Sequence, residues 1–233
     1  MNFPQLKDAV VLVTGGASGL GAAVVSAVRS AGGRPIVLDR NIEGLDHTDA
    51  YQVDVADTSA VTAAVGQAAA DAGRLDAVVT AAGIDRCGRL EEVAASEWEK
   101  VVQVNLLGTV AVVRAAIPAL KESRGHVVTI ASSLGLKALP EATAYCASKF
   151  GVMGFSRALA AENRGVIGVT TIVPAGMKTH FFDDREDKYK PQDDSKLIDP
   201  ARVADAVLFA LAQPEGCAVR ELVICHEEED SWP

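Results

Sequence analysis

Tyr145 and Lys149 stand four residues apart in the run Tyr145-Cys146-Ala147-Ser148-Lys149. On a helix this spacing sets both side chains on one face, one turn apart. A Lys ammonium held beside a phenol stabilises the phenolate and draws its pKa from about 10 towards neutrality, so that the Tyr can take or give a proton. Thirteen residues earlier lies Ser132, followed by Ser133. A hydroxyl at that point could hold a substrate oxygen against Tyr145 and stabilise developing alkoxide charge. A second constellation opens the chain: the apolar run 9–13 leads into Thr14-Gly15-Gly16-Ala17-Ser18-Gly19-Leu20-Gly21. Glycines at 15, 19 and 21 permit a tight turn, close approach of backbone to a pyrophosphate, and close helix-to-strand packing at a helix N-terminus that favours anions. Asp39 ends the next apolar run, placed to accept hydrogen bonds from an adenosine ribose.

These residues need a scaffold, and the pattern of the chain supplies one. Runs at 9–13, 35–38, 51–53, 75–79, 126–130, 169–173 and 221–224 read as strands. Helical stretches at 19–31, 58–72, 96–121, 142–163 and 201–211 alternate with them. Several of the strand runs are apolar at nearly every position, as expected of strands covered on both faces. The fold class is therefore α/β: a doubly wound parallel sheet of about seven strands with helices on both faces, in one domain spanning 1–233. The segment between Asp39 and Tyr51, with Gly44 and Asp46, leaves room for a helical stub only. Residues 180–199 are polar, carry Pro191, and read as a lid over a site. The acidic end, 224–230, reads as a solvated tail.

Composition narrows the function. The 233 residues carry a net charge of −9 and an isoelectric point near 4.9, which argues against nucleic acid or an anionic membrane as partner. The longest apolar run near the start is far short of a span, with no basic region before it, so a cytoplasmic location is expected. Cys87, Cys146, Cys217 and Cys225 lack disulfide or metal spacing and read as free thiols. His47, His126, His180 and His226 are scattered, so no metal is expected.

The GxxxGxG spacing behind Thr14 resembles the short-chain dehydrogenase/reductase family, and the resemblance extends over nearly the whole chain. It implies a Rossmann-type fold and an oxidoreductase with Asn105, Ser132, Tyr145 and Lys149 as catalytic residues. The family's spacing, counted from Gly125 and back from Tyr145, selects Ser132 over Ser133. By the same resemblance Asn105 holds a water linking Lys149 to solvent. Cofactor contacts are implied at Gly15, Ser18, Gly19, Leu20, Gly21, Asp39, Arg40, Asp54, Val55, Ala82, Gly83, Tyr145, Lys149, Pro174, Gly176, Met177 and Thr179. Two departures stand out: Ala81 replaces an Asn that ties neighbouring strands in the family, and Ala175 replaces a Gly. Gly16 and Ser18 lack the basic side chain that members preferring NADP often carry.

The expected reaction is hydride transfer between NAD(H), rather than NADP(H), and a secondary alcohol or ketone. Alternatives are an NADPH-dependent reductase of 3-oxoacyl groups on a carrier protein, and a nicotinamide-binding regulator without turnover. Leu134, Leu136, Leu139, Met177, Phe181 and Phe182 are candidates for an apolar substrate pocket. Surplus apolar residues on the helices at 96–121 and 142–163, among them Val112, Val113, Val152 and Met153, suggest a homo-oligomer, a dimer or tetramer, as is common in the family.

Overall fold

The computed structural model describes residues 6–45 and 49–231. Seven parallel strands form one sheet: β1 (Val10–Thr14), β2 (Arg34–Asp39), β3 (Asp49–Gln52), β4 (Ala77–Thr80), β5 (His126–Ile130), β6 (Gly168–Pro174) and β7 (Glu221–Ile224). Their order is β3-β2-β1-β4-β5-β6-β7. The order reverses between β1 and β4, which opens a crevice at the carboxyl ends of those strands.

Alternation explains why the central strands are apolar at most positions. Val10, Leu12, Ile36, Leu38, Val78 and Val127 enter one core. Their neighbours Val11, Val13, Val37, Val79 and Val128 enter the core on the opposite face. The first core lies under α2 (Thr58–Ala72), α4 (Thr109–Ser123) and α5 (Thr143–Glu162), and the second under α1 (Gly19–Ser30) and α6 (Pro200–Leu211). Nearly every position of β1, β4 and β5 is buried, so apolar residues dominate both faces.

The helix expected at 96–121 is a continuous helical run interrupted by one π turn: α3 (Ala95–Val102), then Gln103–Gly108, then α4. By length and composition Ala95–Ser123 could cross a membrane, but it packs against α2, β4 and α5 as a core helix. Between β2 and β3 the described residues 40–45 contain no helix; Asp46 and His47, part of the expected stub and of the histidine set, lie outside the described residues. The segment 180–199 is ordered as three short 3-10 turns, His180–Phe182, Asp187–Tyr189 and Asp194–Lys196, and is tied to the end of β6 by a bridge between Met177 and Ile198.

The acidic tail is not freely solvated. Ser231 Oγ lies 2.6 Å from Ser133 Oγ, Lys137 Nζ donates to the Asp230 carbonyl at 2.7 Å, and Lys196 pairs with Glu228 at 2.9 Å. Basic residues of the loops after β5 and β6 draw the tail back over them, an attraction that local sequence could not reveal. All four cysteines are free thiols.

Candidate active site

At the carboxyl edge of the sheet, β1 delivers the glycine loop into α1. Gly15 has φ 68° and Gly19 φ 51°, a region disfavoured for residues with a Cβ. A Cβ on Gly21 would lie 2.0 Å from the Gly15 carbonyl oxygen, and one on Gly15 would lie 2.9 Å from Ala82 Cα. The loop can therefore close only with these glycines. Asp57 and Asp199 cap α2 and α6 with their carboxylates, whereas Ser18, at the N-cap of α1, makes no side-chain cap and no acid occupies that first turn. The N–H groups at the start of α1, beginning around Leu20, are thus left for an external anion. Asp39 closes the loop from the side: Oδ2 accepts from Ala17 N at 3.0 Å and Oδ1 from Asn41 N at 3.1 Å. Arg40 beside it is exposed. This cradle fits the pyrophosphate and ribose of a dinucleotide.

The other implied cofactor positions gather around the same crevice. Asp54 turns the chain after β3, with Oδ1 accepting from Ala56 N at 2.9 Å, and Val55 is buried beside Gly108. Ala82 and Gly83 follow β4. Pro174 ends β6, a Cβ on Gly176 would lie 2.8 Å from Leu197 Cδ2, and Thr179 stands over Gly19, 3.5 Å from where a Cβ there would lie. Met177 turns away, packing with the core under α1 and α6.

Around Ala81, where the family has a tying Asn, other side chains make the ties between strands and helices. Thr14 Oγ1 accepts from Ala82 N at 3.2 Å. Asn105, buried in the π turn, accepts from Ile84 N at 2.8 Å through Oδ1, while Nδ2 donates to the Ile84 carbonyl at 2.8 Å and to Ser148 Oγ at 3.1 Å. Both amide hydrogens are thus engaged in clamping the segment after β4 to α5. Gly83 borders the space between Asn105 and Lys149: its Cβ would lie 3.5 Å from Asn105 Oδ1 and 3.8 Å from Lys149 Nζ.

On α5, Tyr145 and Lys149 face the end of β5. The Ser132 hydroxyl accepts from Leu134 N at 3.1 Å and acts on the Tyr145 phenol in the direction that lowers its pKa. Ser133 instead faces Ser231. Lys149 Nζ donates to the Ile130 carbonyl at 2.9 Å and sits 5.6 Å from the centre of the Tyr145 ring. The expectation of a lowered Tyr145 pKa is not met in this state. Burial pushes the phenol up to about 12, only partly opposed by the Ser132 hydroxyl, with Asp85 pushing it further up and Arg185 drawing it down. Burial lowers Lys149 to about 8, with Asp85 acting in the opposite direction. Desolvation of each group outweighs the help that the neighbouring pair was expected to give.

The lid forms the remaining wall. Phe181 packs on Tyr145 with ring centres 5.8 Å apart. Leu136 packs into a small core cluster with Val152 and Met153, and Leu139 is exposed, so the expected apolar pocket is reduced. The pairing of Asp85 with Arg185, whose charges both reach Tyr145, is not readable from sequence, since nothing local ties residues 100 positions apart.

A short chain dehydrogenase family model matches residues 9–190. The chain is 38% identical over 214 residues to D-threitol dehydrogenase of Mycolicibacterium smegmatis, covering 86% of this chain and 82% of that protein. It is 31% identical over 230 residues to an uncharacterized oxidoreductase of Staphylococcus aureus, covering 94% and 97%. Among solved structures, the ligand-free aldohexose dehydrogenase of Thermoplasma acidophilum superposes with TM-score 0.87 at 27% identity, covering 96% and 94%. The alcohol dehydrogenase of Thermococcus sibiricus, complexed with 5-hydroxy-NADP, gives 0.87 at 23% identity over 95% and 97%, a likeness of fold. With the family model matched over residues 9–190 and a relative 38% identical over 214 residues, the chain belongs to the short-chain dehydrogenase family of nicotinamide-dependent oxidoreductases.

Proposed function

We propose that the chain catalyses reversible hydride transfer between NAD(H) and a secondary alcohol or its ketone, with Tyr145 moving the proton. The observation that carries this reading is the convergence at the carboxyl edge of Tyr145, of Lys149 one turn along α5 with Nζ 5.6 Å from the phenol ring centre, and of Ser132, whose hydroxyl draws the Tyr145 pKa down. The similarity to proteins named D-threitol dehydrogenase and aldohexose dehydrogenase supports an alcohol substrate.

In alcohol oxidation Tyr145 Oη takes the carbinol proton as the carbon loses its hydride; in ketone reduction the same oxygen returns the proton. A bound nicotinamide would accept or supply that hydride, and its oxidised ring would add the positive charge that lowers Tyr145 from about 12. Ser132 holds the substrate oxygen against Tyr145. Lys149, near 8, is poised to exchange a proton close to neutral pH. Asn105 positions the segment after β4, and its Oδ1 keeps one lone pair for a water in the space that Gly83 leaves open.

Asp39 favours NAD. Its carboxylate would accept from the ribose hydroxyls, whereas a 2′-phosphate would set like charges at ~4 Å, a repulsion of about 4 kcal/mol at an effective dielectric of ~20. Arg40 could recover about 1–3 kcal/mol by pairing with that phosphate, which softens the preference without reversing it. The oligomer remains part of the proposal on a narrower base. Val112, Val113, Val152 and Met153 are buried within the chain, so pairing rests on Leu107 and Phe150, exposed at 44% and 45% on the same helical layer.

The test is a panel of alcohols and ketones with NAD(H) and NADP(H), followed at the absorbance of reduced nicotinamide. Turnover that is faster with NAD(H), and rises with pH in oxidation but falls in reduction, is expected. Absence of turnover with every alcohol and ketone would overturn the reading.

A further inference from the structure

Asp85 follows β4 and Arg185 lies in the lid, yet Arg185 Nη2 meets Asp85 Oδ2 at 2.6 Å, with the two side chains 18% and 4% exposed. The guanidinium stacks 5.3 Å from the Phe181 ring centre and 4.6 Å from that of Phe182, and Phe181 in turn packs on Tyr145. The ion pair is therefore joined to the reactive phenol through the Phe181 ring. Both charges reach Tyr145, and that of Asp85 also reaches Lys149. As a stabilising device such a pair is poor, because desolvation of both charges offsets much of their attraction.

The remaining valences of the pair fit hydroxyl groups. Asp85 Oδ1 accepts only from Arg86 N, at 2.7 Å, and Oδ2 accepts from Cys87 Sγ at 3.2 Å besides Arg185. Arg185 spends Nη1 on the Tyr189 carbonyl, and its buried Nε has no partner among the described residues. Acceptor and donor thus stand side by side with no net charge between them. An anionic substrate would meet Asp85 and a cationic one Arg185, each at the cost of an existing partner, whereas a hydroxyl can donate to the first and accept from the second. A simple aliphatic alcohol would leave both unanswered.

Resting on the alcohol-dehydrogenase reading above, we infer that Asp85 and Arg185 are specificity-determining residues that bind a hydroxyl next to the reacting carbinol, so that the substrate is a neutral polyhydroxy alcohol or its keto form. A site built to hydrogen-bond a substrate hydroxyl rejects the analogue that lacks it far more strongly than an apolar pocket rejects a size change.

The test compares kcat/KM for threitol and butan-2-ol, both of four carbons, in the wild type, in Asp85→Asn, and in the double variant Asp85→Asn/Arg185→Met, which leaves no lone buried charge. The wild type should favour threitol by at least about 100-fold, and that ratio should fall at least about 30-fold in each variant. A wild-type ratio near one, or a parallel loss on both alcohols that leaves the ratio intact, overturns the inference while leaving the alcohol chemistry standing. Turnover of threitol with none of butan-2-ol is the predicted preference at its limit, whereas absence of turnover on both alcohols and on the wider panel counts against the reaction itself. The subsite is then decided by melting in the presence of NAD: a rise with threitol in the wild type that is lost in Asp85→Asn supports it, and no rise in the wild type overturns it.

Discussion

The two edges of the sheet are made from the same strands but differ in how their polar groups are satisfied. At the amino edge Asp76 accepts from Val10 N at 2.8 Å and pairs with Arg74, Ser123 Oγ donates to the Leu75 carbonyl at 2.6 Å, and His126 Nε2 lies 2.7 Å from Thr170 Oγ1. At the carboxyl edge Thr80 Oγ1 and, in the lid above it, Arg185 Nε are buried without partners among the described residues, Lys149 is buried as a cation, and α1 starts without a side-chain cap. Buried polar groups are ordinarily paired, so the unpaired ones mark where the chain forgoes stability to keep groups available for a ligand. The same division separates residues whose loss should harm folding from those whose loss should harm chemistry.

The largest expected effect is at the carboxyl edge. Tyr145→Phe should lower turnover by roughly 10²–10⁴ while NAD affinity, measured by calorimetry, stays within about threefold. Ser132→Ala should also cost heavily, and Ser133→Ala, whose hydroxyl faces Ser231, should cost little. The reverse order for the two serines would move the substrate oxygen to Ser133 and break the site as drawn.

Cofactor choice comes next. NAD should exceed NADP by about 10- to 100-fold in kcat/KM, each factor of ten being 1.4 kcal/mol, and Asp39→Ala should bring NADP level or ahead by leaving Arg40 as its partner. A wild-type preference for NADPH would remove Asp39 from the ribose.

Stability should respond in opposite senses at the two edges. The folded pKa of Lys149, about 8, lies below its unfolded value of about 10.5, so its burial costs stability fully below pH 8 and the cost fades as pH rises towards 10.5. Lys149→Met should therefore abolish turnover yet melt higher at pH 7. The gain is on the order of 1–3 kcal/mol after the lost bond to the Ile130 carbonyl is counted, or several degrees for a chain of this size. A lower melting temperature would show that the buried ammonium supports the fold.

The smallest effect is at the amino edge. Burial lowers His126 to about 4. Because the unfolded chain takes up a proton near pH 6.5, stability should fall as pH drops from about 6.5 to 4, by roughly 1–2 kcal/mol once partial exposure is allowed for. His126→Gln should flatten that fall in urea unfolding without touching turnover. Equal acid sensitivity of variant and wild type would exclude His126 as the cause.

Much of the fold was legible because its signals are local. Apolar runs separated by helical periods gave all seven strands, displaced by a residue or two at the ends, and the glycine loop carries its conformational demands in its own residues. Ser132, Tyr145 and Lys149 were legible as spacings. What escaped depends on tertiary contact: the π turn that seats Asn105 has no composition signal, and the tail is drawn back by Lys137 and Lys196 from other loops. The Asp85–Arg185 pair joins segments 100 residues apart. The Tyr145 pKa was misjudged for the same reason, since the i, i+4 spacing reveals a helpful neighbour but not the desolvation that burial imposes.

The central claim is that the carbinol hydrogen leaves as hydride while Tyr145 handles the proton. It is tested most directly by incubating the enzyme with NAD and a secondary alcohol deuterated at the carbinol carbon, then locating the label by mass spectrometry and proton resonance. Deuterium at C4 of the reduced nicotinamide in the wild type, with label transfer at least about 100-fold slower in Tyr145→Phe, is the predicted result. Deuterium released to water, or Tyr145→Phe transferring label at more than about a tenth of the wild-type rate, would contradict the account.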